Sequence, residues 1–83
     1  MKYEDGTVVE HFASAQGTKQ LEIIKRHDGA YRFVEWTLDN DEYAGEFWNP
    51  TRHSGLFSDA DLAKIEAQAD LVWFREAMPP DDI

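Results

Sequence analysis

The chain has no cysteine among its 83 residues. No disulfide can staple it, and no thiolate can serve as nucleophile or metal ligand. Basic residues are scarce: eight lysines and arginines stand against 17 aspartates and glutamates, for a net charge of −9. Binding to phosphate backbones needs a basic patch, so nucleic acid is not expected as a partner. Long apolar runs are missing as well. No stretch reaches the roughly 18 residues of a membrane helix. The opening MKYEDGTVVEHF carries Glu4 and Asp5 where a signal peptide needs an apolar core. These absences predict a cytoplasmic protein with no membrane partner. Catalytic signatures are missing too. There is no P-loop, no G-x-G-x-x-G and no G-x-S-x-G, and His11, His27 and His53 stand in three separate segments without metal-ligand spacing. No cofactor, no metal and no enzymatic activity are expected.

What is present fits a single small α+β domain over residues 1–83. A chain this short buries only about 60% of its unfolded surface, so its core is small. Residues 1–18 contain TVVEHF, which suits either an edge strand or a helical turn, followed by a loop through ASAQGT to Gly17. The clearest signal is KQLEIIKRHDGAYRFVEWTL. Asp28-Gly29 between two strand-like runs predicts a hairpin with a two-residue turn. That turn sets Ile23 opposite Val34, Leu21 opposite Trp36, Ile24 opposite Phe33 and Glu22 opposite Glu35. A second turn at DNDE, with Leu38 facing Tyr43, predicts a third strand over residues 43–48. The expected core face is then Leu21, Ile23, Val34, Trp36, Leu38, Tyr43 and Phe47.

The last element begins at LFSDADL. Ser58 is the expected N-cap, Asp61 completes a capping box, and Phe57 and Leu62 form a hydrophobic staple. The helix should run over residues 59–77 and stop before Pro79-Pro80, leaving residues 79–83 as a loose tail. Leu62, Ile65, Ala69, Val72 and Trp73 share the stripe expected to pack on the sheet. Ala63, Ala67, Leu71 and Phe74 gather on the other side with Ala60 and Met78. That side needs cover either from Val8, Val9 and Phe12 or from a second subunit, which makes it a candidate dimer face.

This register has one consequence for function. On the sheet face away from the helix, Glu22, Glu35 and Glu46 fall in a single row, beside Ile24, Phe33 and Trp48, with Tyr31 extending the apolar patch. Like charges at about 5 Å repel by roughly 1 kcal/mol in water-like surroundings and about 3 kcal/mol at an effective dielectric of 20. A cation or basic partner, screening by Lys25, Arg26, Arg32 or an N-terminal residue, or a register shifted by one residue would each relieve the row. The face of Glu22, Ile24, Tyr31, Phe33, Glu35, Glu46 and Trp48 is therefore the candidate interaction face. In NPTRHSG, Asn49-Pro50 is expected to end the strand, while Arg52 and His53 are a candidate anion contact.

The order of elements, with Trp48 and Pro50 leading to Ser54, Gly55, Leu56, Phe57, Ser58 and Asp59, resembles small bacterial proteins of unassigned function. These have a β-meander followed by a C-terminal helix. The resemblance spans roughly residues 20–73. It implies an antiparallel sheet of three or four strands with one helix on one face, and no catalytic residue. The expected function is a small acidic interaction or regulatory module, acting on a protein partner or as a homodimer. The alternatives are an acidic mimic that occupies a basic protein surface, and a small ligand- or metal-binding protein using the sheet carboxylates.

Overall fold

The computed structural model describes residues 2, 3 and 6–78. An antiparallel meander is built from β1 (Lys2–Tyr3), β2 (Gly6–Ala13), β3 (Lys19–Arg26), β4 (Tyr31–Asp41) and β5 (Gly45–His53), in that spatial order. Two helical segments follow, α1 (Ala60–Asp70) and α2 (Val72–Ala77). The architecture is thus the expected α+β meander with C-terminal helix, in which four strands are of full length and β1 has two residues. TVVEHF is a strand, and the loop after it turns at Gly17, φ 74°, and ends at Thr18. The tail expected over residues 79–83 lies outside the described residues.

The first hairpin corrects the expected register. Its loop is His27-Asp28-Gly29, with Gly29 N–H donating to Arg26 O at 3.0 Å and Arg26 N–H donating to Ala30 O at 2.8 Å. Gly29 alone takes a positive φ, 88°. A two-residue type I′ turn would force Asp28 to positive φ too. The three-residue loop, a type I turn closed by a left-handed glycine, avoids that strain. Asp28 Oδ1 accepts from Ala30 N–H at 3.1 Å and fixes the bend.

One extra loop residue changes the parity of every pair. Ile23 lies opposite Phe33, Glu22 opposite Val34 and Leu21 opposite Glu35. Phe33 and Glu35 move to the helix side with Leu21 and Ile23, while Val34 and Trp36 go to the opposite face. The second hairpin is corrected as well. Strand pairing continues to Asp41 opposite Gly45, so most of DNDE lies within β4. Asp41 Oδ1 accepts from the Tyr43 N–H at 2.7 Å, and the turn begins at Glu42, three residues later than expected. Tyr43, expected in the core, is 92% exposed at the tip, and Phe47 is also exposed.

A bulge at Val9 in β2 makes a similar adjustment. Val8 pairs with Ile24 on the far face, whereas Phe12 pairs with Leu21 on the helix side. The core cluster accordingly contains Leu21, Ile23, Phe33, Ala63, Ala67, Leu71 and Phe74, with Phe12, Tyr31, Phe57, Ala60 and Trp73 around it. Phe12 and Phe74 rings lie 4.9 Å apart, so the expected cover of Phe74 by Phe12 is present.

The helix therefore presents the opposite stripe from the one expected. Ala63, Ala67, Leu71 and Phe74 are buried against the sheet, and Leu62, Ile65 and Val72 are exposed. The sheet face already carries bulky Phe33, Leu21 and Ile23. A stripe of alanines lets the helix approach it, with Leu71 and Phe74 filling the end. Asp59, not Ser58, is the N-cap: its Oδ1 accepts from Leu62 N–H at 2.8 Å. Phe57 is no staple residue. It forms a single β-bridge to Tyr31, with both hydrogen bonds at 2.8 Å, and stacks on Phe33 at 6.5 Å. The expected continuous helix breaks at Leu71, whose φ −110° and ψ 107° are extended.

Candidate functional site

The carboxylate row does not exist. Glu22 is buried on the far face and accepts from Trp36 Nε1–H at 2.7 Å. Glu35 is buried on the helix face, and Glu46 pairs with Asn40 near the tip of the second hairpin. The like-charge repulsion is thus removed by placing adjacent glutamates on opposite sides of the sheet. Ile24 and Phe33 are both fully buried, again on opposite faces, and Tyr31 joins the helix-side core. Trp48 pairs with Leu38 and stays partly exposed. The candidate interaction face is dismantled, and with it the carboxylate geometry for a sheet-borne metal. Among the described residues there is no group of three or more His, Asp or Glu able to hold a metal ion. The candidate dimer face Ala63, Ala67, Leu71 and Phe74 is the core itself.

The strand also runs through Asn49–His53, where it was expected to end. Pro50 pairs with Trp36, and a bulge at Thr51 precedes the Arg52–Glu35 pair. An edge strand tolerates a proline because its missing N–H can face outward, away from the ladder. Arg52 Nη2 lies 3.2 Å from Asp70 Oδ2, so its charge joins β5 to the end of α1 rather than waiting for an anion. His53 stands opposite Val34 and is exposed.

The new centre is Glu35. Thr51 Oγ1–H donates to its Oε1 at 2.7 Å, and Trp73 Nε1–H donates to its Oε2 at 2.8 Å. Lys19 Nζ lies 4.0 Å from Oε2 and donates to Thr37 Oγ1 at 3.1 Å. A buried carboxylate needs such partners, because desolvating the charge alone is costly. Above it opens a cleft of about 600 Å³ between the β2–β3 turn and the α1–α2 joint.

The joint is held by backbone capping. Arg75 Nε–H donates to Gln68 O at 2.8 Å and its Nη2–H to Ala69 O at 2.6 Å, while Gln68 Nε2–H donates to Met78 O at 2.7 Å. The Arg75 bonds satisfy carbonyls orphaned where α1 ends, and the Gln68 bond one just past the end of α2. On the outer side of the joint is a second, smaller groove of about 240 Å³, lined by Ile65, Gln68, Ala69 and Arg75.

Two signals in the sequence could have found these features. Alanines at residues 60, 63 and 67 mark close approach to a bulky sheet. A tryptophan near a buried acid needs an acceptor for its N–H. No family model matches this chain, and no curated protein or solved structure matches it. No helix of the described residues is long and apolar enough to cross a membrane.

Proposed function

We propose that the protein is a small acidic interaction module that docks a basic, amphipathic helical segment of a partner protein on the outer face of α1. The observation that carries this reading is the exposed apolar stripe: Leu62 is 45% and Ile65 59% exposed, beside Ala69 and the groove at the joint. Clustered exposed aliphatics rimmed by charge favour a protein partner over solvent.

Charge selects the kind of partner. Asp61 and Glu66 flank the stripe and have no partner among the described residues. The helical cations are already used: Lys64 pairs with Glu10 at 3.0 Å, and Arg75 is turned onto backbone carbonyls. A second copy would bring like-charged rims together, whereas a basic segment brings opposite ones.

The test is an NMR titration with a synthetic amphipathic Lys/Leu peptide. The expected result is shifts at Leu62, Ile65 and Ala69, affinity that falls with salt, and loss of binding in Ile65→Asp with unchanged thermal stability. Absence of shifts on this face overturns the reading, and so does a dimer in light scattering that Ile65→Asp dissolves.

A second reading has its own observation. The tip of the β4–β5 hairpin carries Asp39, Asp41, Glu42 and Glu46 with no basic residue, and Tyr43 projects from it. This supports contact between the tip and a basic protein surface. Shifts confined to the tip, weakened by Glu42→Gln and Glu46→Gln, would favour it over the helix.

A further inference from the structure

We propose that the cleft above Glu35 binds a small organic ammonium ion, an alkyl or arylalkyl amine whose charge meets the carboxylates of Asp70 and Glu76 and whose carbon body lies along Trp73. The cleft's volume, about 600 Å³, is that of small-molecule sites, which span roughly 300–1,000 Å³. Its charged lining is one cation, Lys19, against three anions, Glu35, Asp70 and Glu76. Lys19 is already committed to Thr37 and Glu35. Asp70 uses Oδ2 for Arg52, and Glu76 has no partner among the described residues. The unanswered charge in the cleft is therefore negative, which repels anions and attracts a cation.

The rest of the lining selects an organic cation over a metal. Glu35 gives one oxygen to Thr51 and the other to Trp73, so it is poorly placed to ligate an ion directly. Leu71, Val72, Trp73 and Ala77 offer carbon where a hydrated ion needs oxygen. An indole held in place by its own N–H bond is a rigid partner for an ammonium group and for the carbons beside it.

The probe is phenethylamine, added to the full chain at neutral pH and followed in ¹H–¹⁵N spectra. 2-Phenylethanol serves as the neutral control and MgCl₂ as the inorganic one. The expected result is saturable movement of the Trp73 indole signal and of the Glu76 and Lys19 amides, with little movement from either control. Glu76→Gln should weaken binding by about threefold to fivefold, in the range of a part-exposed ion pair. Because Glu76 is on the surface, that variant folds normally. Equal shifts with the neutral alcohol, movement of the same signals by Mg²⁺, or no movement at the cleft overturns the proposal. Ile65 and Ala69 do not line this cleft, so its failure leaves the docking face on α1 unaffected.

Discussion

Trp73 and Glu35 are 38 positions apart in the chain and meet through an indole N–H···Oε2 bond of 2.8 Å. This bond ties α2 to the middle of the sheet. Trp73→Phe keeps the ring and removes the donor, and should lower stability by about 1–2 kcal/mol in urea unfolding. Glu35→Ala should cost about 2–3 kcal/mol, since it leaves the indole without its acceptor and removes the shortest bond of Thr51. A double-mutant cycle should return a coupling of about 1 kcal/mol; additive effects would show that the bond contributes nothing.

The two stripes of α1 should respond differently to substitution. Ala67→Leu forces extra carbons against Leu21, Ile23 and Phe33, and should destabilise by about 1–3 kcal/mol. Ile65→Gln on the outer face should change stability by no more than about 0.5 kcal/mol. Equal losses at both positions in thermal unfolding would contradict the orientation of the helix.

Capping gives a sharp local comparison. Asp59→Ala removes the acceptor for the Leu62 N–H and should cost about 1 kcal/mol. Ser58→Ala, one residue earlier, should stay within about 0.5 kcal/mol. Circular dichroism melts of the two variants would rank them.

Gly6 has a packing reason to be glycine. It is buried opposite Arg26, and a Cβ there would strike the Lys25 carbonyl oxygen and come within 2.9 Å of Arg26 Cα. Backbone cannot swing aside as a side chain can. Gly6→Ala should therefore cost about 1–3 kcal/mol and speed amide exchange along the β2–β3 ladder. Unchanged exchange at Arg26 would reject that account.

The types of β3, β4 and α1 were legible because alternation, Asp28-Gly29 and the helix cap act locally; TVVEHF stayed open between strand and helical turn because Val8, Val9 and Phe12 suit either. The faces were not legible, because a single loop residue decides them. His27-Asp28-Gly29 in place of Asp28-Gly29 moves Phe33 and Glu35 to the helix side together. Leu62 and Ile65 looked like core by hydrophobicity, yet the sheet had already supplied the bulk and left room for Ala63 and Ala67. Glu35 draws attention in the sequence for a repulsive row with Glu22 and Glu46, and that row is absent; what makes it matter is burial on the helix side. It found Trp73 across the fold, where no spacing rule reaches. Arg52 likewise found Asp70 through the packing of β5 beside α1.

Pro50 has a further effect on how this molecule can be met. β5 ends the sheet, and among the described residues nothing pairs with its outer edge. An incoming strand would look there for a row of backbone donors and acceptors. It would find a position without an N–H, followed at once by the bulge at Thr51 that breaks the rhythm of the ladder. Main-chain zippering is thereby discouraged, whether by a copy of itself or by a stray peptide. Along this edge, what is left to a visitor is side-chain chemistry.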